Sequence, residues 1–124
     1  MATWFEATVR EVGEQVEDFL DARMLIFFGE NAPPELREVS VVLSVSTMDP
    51  SPVLVPGRLL TIGQGNLTIE EVGSAAEENF RLLTHVVLAT EGQAILPGQI
   101  RVAGQWPSLA DVQPNSKVQI LTKP

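Results

Sequence analysis

The chain has 124 residues, with eight basic against sixteen acidic side chains for a formal charge of −8, no cysteine and a single histidine, His85. That balance works against a nucleic-acid backbone or an anionic membrane surface, since both are held by clustered Lys and Arg. The missing thiols exclude disulfides, thiolate metal sites and cysteine nucleophiles, while the length and 44% hydrophobic content suit one domain, 1–124, with an ordinary core.

The first residues, Met1 to Glu6, lack the basic start and apolar run of a signal peptide. The longest apolar stretches, Met24 to Phe28 and Val41 to Leu43, fall far short of the roughly 20 residues a membrane helix needs. A cytoplasmic protein without direct membrane insertion is expected.

Phe5, Ala7 and Val9 alternate with Glu6, Thr8 and Arg10, which predicts a half-buried strand. Val12, Val16, Phe19 and Leu20 then fall on one face at helical spacing, with Glu14, Glu17 and Asp18 outside. The continuous run from Met24 to Phe28 reads as a strand buried on both faces, and Asn31 to Leu36 as a single helical turn that tolerates proline at its start. Val39 to Val45 is β-branched and interleaved with Ser40, Ser44 and Ser46. A long loop follows, marked by Pro50, Pro52 and Pro56-Gly57. Two strands, Arg58 to Ile62 and Leu67 to Val72, flank Gly63-Gln64-Gly65-Asn66, a hairpin turn.

Ser74-Ala75-Ala76-Glu77 matches a helix capping box, with Ala76, Phe80 and Leu83 as the inner stripe of the helix it would start. Thr84 to Ala89, Gln99 to Ala103 and Lys117 to Leu121 complete the strands. No internal repeat, linker or low-complexity tract is evident. The expected fold is mainly β: a small barrel, closed or partly open, of about eight short strands with two short helices.

Chemistry has few carriers. One histidine, no cysteine and no Asp-rich loop predict no metal site and no cofactor. Gly63-Gln64-Gly65 lacks the phosphate-loop lysine and leads into a strand. Glu70-Glu71 and Glu77-Glu78 read as solvated surface charge, the second pair favourably placed at a helix N-terminus. Serine hydrolysis would have to use His85 as its base, and no Gly-x-Ser-x-Gly elbow accompanies it. A lone histidine among apolar neighbours is more often structural than catalytic. Its other use would be to hold or carry phosphate on an imidazole nitrogen that titrates near neutrality.

Five segments, in order, carry a family pattern. They are Met24-Leu25-Ile26 with Phe28, Glu30, Ala32-Pro33 and Leu36; Pro56-Gly57 with Ile62-Gly63-Gln64; Val72-Gly73-Ser74-Ala75-Ala76-Glu77-Glu78-Asn79; His85-Val86 with Leu88; and Pro97-Gly98 with Val102-Ala103-Gly104. Together they resemble the glucitol/sorbitol-specific IIA component of the phosphoenolpyruvate-dependent sugar phosphotransferase system. The resemblance implies a cytosolic phosphocarrier that takes a phosphoryl group on histidine from the general phosphocarrier protein and passes it to sugar-specific IIB/IIC components.

One departure bears on activity. In the family pattern the acceptor histidine follows the Ala-Pro-x-x-Leu turn, and the ungapped match puts that slot at Leu43. Leucine has no lone pair with which to take phosphate. Ser44 and Ser46 nearby would form esters of low transfer potential. His85 corresponds to a second histidine of the pattern, expected beside the first. Three readings stay open: a divergent IIA protein that has lost the phosphohistidine and acts by binding a partner; an active carrier using His85; and a small-molecule-binding barrel unrelated to phosphotransfer. The first predicts an exposed apolar docking face around Leu43 and Ser44 with an acidic rim. Trp106 is either an anchor for a partner or a cap on an open end of the barrel. A homo-oligomer formed by strand exchange is left open.

Overall fold

The computed structural model describes residues 2–90, 92 and 94–123. In chain order they form β1 (Thr3–Val12), α1 (Val16–Asp21), β2 (Met24–Gly29), α2 (Pro34–Arg37), β3 (Val41–Met48), β4 (Leu59–Ile62), β5 (Gly65–Val72), α3 (Ala76–Leu83), β6 (Val86–Ala89), β7 (Gln99–Gly104), a 3₁₀ turn (Leu109–Val112) and β8 (Lys117–Leu121). The eight strands close into a barrel in the order β1-β3-β2-β6-β7-β5-β4-β8, which leaves no free edge. The helical turn expected near Pro33-Pro34 is α2, so the barrel carries three short helices. No helix among the described residues is long and apolar enough to cross a membrane.

Strand alternation is realised as the pattern predicts: Phe5, Ala7 and Val9 all point into the core. The β4–β5 hairpin pairs Ile62 with Gly65 across Gly63-Gln64. The apolar run of β2 is only partly buried on both faces. Leu25, Phe27 and Phe28 are covered, whereas Met24 and Ile26 are half-exposed on the outer side.

Two expectations about α3 are corrected. Ser74 and Glu77 form no capping box; Ala75 occupies the cap position without a side-chain bond. The Ala75 N–H is already satisfied by the Pro97 carbonyl at 2.9 Å. Glu77 instead reaches the Pro-rich loop, accepting the N–H groups of Val53 at 3.0 Å and Leu54 at 2.7 Å. A charged carboxylate gains more from two loop amides than from a single helix amide. A capping box does occur, between Ser108 and Asp111 on the 3₁₀ turn. The second correction concerns Leu83, which is exposed rather than part of the inner stripe.

The barrel repeats one four-strand arrangement, a structural repeat that the sequence does not display as a motif repeat. Its strand order is β8-β1-β3-β2 followed by β6-β7-β5-β4, the same unit read in opposite directions. β2 and β3 are parallel, as are β6 and β7. The units meet through the antiparallel pairs β2–β6 and β4–β8. Even the irregularities repeat: β1 bulges between Val9 and Glu11, and β5 between Ile69 and Glu71.

Glu11-Val12-Gly13 and Glu71-Val72-Gly73 close the corresponding strands β1 and β5. Gly13 donates to the Ser40 carbonyl and Gln15 to Glu38; Gly73 donates to Gln99 and Ala75 to Pro97. A side chain at either glycine would run into those backbone carbonyl segments, Arg37-Glu38 in one unit and Leu96-Pro97 in the other. The helix-to-strand turns match as well, since Arg23 and Thr84 both adopt left-handed backbone, at φ 61° and 56°.

Candidate functional site

Leu43, the position singled out in the sequence, lies at the mouth of the barrel, at the floor of an open cleft of about 150 Å³. The cleft is built where the parallel pairing of β2 with β3 ends. Gly29 of β2 is in register with Leu43 of β3, and Val45 lies on the same side of its strand, one alternation further. Leu82, Leu83 and Thr84 at the end of α3 form the opposite wall, with Glu30 and Asn31 at the rim. Arg37 braces that rim by donating to the carbonyls of Glu30 and Ala32.

Leu43 is only 1% exposed, but its surroundings form the apolar face expected there, with Val45 at 39%, Leu83 at 47% and Leu82 at 72% exposure. Glu30 is the sole ionisable side chain among the described residues of the lining. No described lining residue offers a nitrogen nucleophile.

The other candidate residues are not gathered at this cleft. Ser44 is half-buried and, by strand alternation, points away from the side that Leu43 faces. Thr84 lines the cleft, but His85, one residue on, turns to the outside of the barrel. There its ring packs on Phe28 with centroids 4.6 Å apart. Its Nδ1 lies 3.1 Å from the Phe27 carbonyl oxygen. A carbonyl can only accept, so this contact places a hydrogen on Nδ1, and in that tautomer of the free base the lone pair is on Nε2.

Trp106 sits elsewhere. Its Nε1–H donates to the Leu20 carbonyl at 2.9 Å and its ring packs against the core. It secures the end of α1 rather than standing as a free surface anchor. Among the described residues no group of His, Asp and Glu has metal-site geometry.

Val45, Leu82 and Leu83 were not singled out in the sequence. The helical stripe assigns Leu83 inward, whereas in the structure Leu82 and Leu83, ending α3 before left-handed Thr84, line the cleft.

This arrangement of barrel and mouth can be set beside known proteins. The family described as the PTS system glucitol/sorbitol-specific IIA component matches residues 4–119. The chain belongs to that family. Glucitol/sorbitol-specific EIIA components of Shigella flexneri and Escherichia coli (strain K12) are each 35% identical over 118 residues, covering 94% of this chain and 93% of theirs. The crystal structure of a PTS system IIA component from Enterococcus faecalis V583 matches with a TM-score of 0.78 and 27% identity, covering 94% of this chain and 98% of that one. Membership accounts for the barrel and for its order of segments.

Proposed function

We propose that this chain is a divergent IIA component that has lost the usual phosphohistidine and acts by binding a protein partner of the sugar phosphotransferase system. The observation that carries this reading is the cleft itself. It keeps a formed, partly exposed apolar face of Val45, Leu82 and Leu83 around Leu43, without a nucleophile at its floor. Phosphoryl transfer between proteins needs an imidazole nitrogen presented in line to the donor, and positioning supplies most of the catalysis. A docking face without that nitrogen binds and does not transfer. The partners are the general phosphocarrier protein and the sugar-specific IIB/IIC components, in the cytoplasm. The charge of −8 favours a partner with a basic face and mainly speeds encounter.

His85 supports a second reading, because its Nδ1 bond to the Phe27 carbonyl leaves Nε2 able to attack phosphorus. In that case the P–N bond at the general carrier breaks as one forms at Nε2, on the outer wall rather than in the cleft. One experiment separates the two. The protein and its His85→Ala variant are incubated with phosphoenolpyruvate, enzyme I and the general phosphocarrier, and intact mass is measured. No added phosphoryl group on either, with the E. coli relative labelled in the same tube, is expected for the binding component. An acid-labile phosphoryl group lost in His85→Ala overturns it in favour of an active carrier.

A further inference from the structure

The repeat places a second cleft where the pseudo-two-fold axis carries the first. In the strand registers Val102 of β7 takes the place of Leu43, since Ile69 faces Val102 as Val9 faces Leu43. Thr90 then replaces Gly29, Gly104 replaces Val45, and left-handed Arg23 replaces left-handed Thr84. Those four residues, with Trp106, line a cavity of about 220 Å³. A second cavity of about 360 Å³, lined by Glu17, Asp21, Arg23 and Trp106 among others, adjoins it through the two shared residues.

The first cleft sets a single carboxylate, Glu30, beside Leu43, Val45, Leu82 and Leu83. The second gathers charge of both signs, from Arg23, Glu17 and Asp21, around an indole, and the fold builds the difference. Past Val45 β3 continues to Met48, whereas β7 stops at Gly104, whose φ of 127° and close approach to the Asn66 carbonyl only glycine accepts. The Gln105 N–H then binds that same carbonyl at 3.0 Å. The chain is thereby turned so that the next residue, Trp106, is pinned to Leu20. A fixed indole plate results, bordering both cavities. Around it stand a guanidinium, a hydroxyl and two carboxylates, from Arg23, Thr90, Asp21 and Glu17. Arg23 makes no ion pair with a described residue.

We propose that this second cleft binds a small neutral carbohydrate, a hexose or hexitol, with its C–H face on Trp106 and its hydroxyls on Arg23, Thr90 and Asp21. The mixed charge selects this class. The carboxylates of Glu17 and Asp21 repel an anion such as a sugar phosphate, and Arg23 repels a cation. Donors and acceptors together serve hydroxyl groups, which are both. A rigid aromatic plate with a few polar groups fixing orientation is the usual make-up of a small-ligand site. The site does not depend on whether the Leu43 cleft carries phosphate.

The test is a titration of the ¹⁵N-labelled protein with glucitol, glucose and glucose 6-phosphate, raised well above about 1 mM, the range of a weak sugar site. The expected result is a saturable shift of the Trp106 indole N–H and of the Arg23 and Thr90 amides with a neutral sugar. The Trp4 indole and the Leu43 amide should stay still. Arg23→Gly is the decisive variant, because glycine adopts the left-handed backbone without cost and removes only the side chain. It should keep the fold and weaken binding at least tenfold. No saturable shift with either neutral sugar overturns the proposal. So do a preference for the phosphate ester, shifts centred on Leu43, or unchanged binding in Arg23→Gly.

Discussion

The carboxylate of Glu77 accepts the backbone N–H of Leu54 at 2.7 Å, and this bond closes one end of the barrel. Its other oxygen takes the Val53 N–H, and Arg81 stands 2.8 Å away, one helical turn on. Arg81 in turn donates to the carbonyls of Asp49 and Ser51. One turn of α3 therefore grips the Pro-rich loop at four backbone groups. The grip seats Val53 and Leu54 in the core, where Phe80 packs on Phe5 with ring centroids 4.7 Å apart. Glu77→Ala strands two amides in a partly buried place and should cost about 2–4 kcal/mol, as two charge-assisted bonds of about 1.5–3 kcal/mol each lose their partner and water recovers part. A urea midpoint lowered with unchanged slope is the expected reading. A midpoint within experimental error of the parent would show that the loop is held by its apolar residues alone.

Among the described residues Ser40 is the one buried polar side chain, and its Oγ has no hydrogen-bond partner there. Removing a hydroxyl that is desolvated without a hydrogen bond relieves a penalty of about 1–3 kcal/mol, less the lost packing of one oxygen. Ser40→Ala should therefore leave stability unchanged or raise it by about 1 kcal/mol. Thermal unfolding would show it, and a clear loss would reveal a partner such as an ordered water.

The Asp111 carboxyl is held below its ordinary pKa, first by the Ser108 N–H at 2.9 Å; burial, next in size, opposes this, and the Gln64 N–H at 3.0 Å adds to the lowering. A carboxyl lowered on folding adds stability that is fully present above its unfolded pKa, about 3.9. That stability is lost as pH falls through the lower folded value. The parent and Asp111→Asn should thus differ most above about pH 4 and converge in stronger acid. Denaturant midpoints measured from neutral pH downward would test this, and a gap that stays constant at low pH would refute it.

Much of the barrel was legible because its rules are local. The alternation of Phe5, Ala7 and Val9, the hairpin glycines and the β-branched run at Val41 each report their own surroundings. Glu77 was misread for the same reason. Its spacing from Ser74 satisfies a local rule, but the loop amides it serves lie 23 and 24 residues away. The structural repeat was hidden because the two units share architecture with little sequence: Glu-Val-Gly recurs at residues 11 and 71, while Leu43 and Val102, or Arg23 and Thr84, agree in backbone and not in side chain. For the candidate site, the residue that the sequence singled out, Leu43, does border a cleft. The sequence could not show that His85 faces outward, since that depends on the register of Phe27 with Val86.

If the Leu43 cleft is still a docking face, it should regain chemistry when its floor is given a nucleophile. In Leu43→His the imidazole replaces a side chain that is covered yet borders the open cleft beside Val45 and Leu83. Partial burial of a polar ring costs about 1–3 kcal/mol of stability, which a closed barrel with an intact core can absorb. The variant should accept one acid-labile phosphoryl group from the general phosphocarrier, and should keep it when His85 is also changed to alanine. Intact mass and phosphorus NMR read both outcomes. A folded Leu43→His that takes no phosphate would show that the apolar face no longer meets the carrier. Labelling that vanishes in the double variant would move the chemistry to the outer wall, at the imidazole stacked on Phe28.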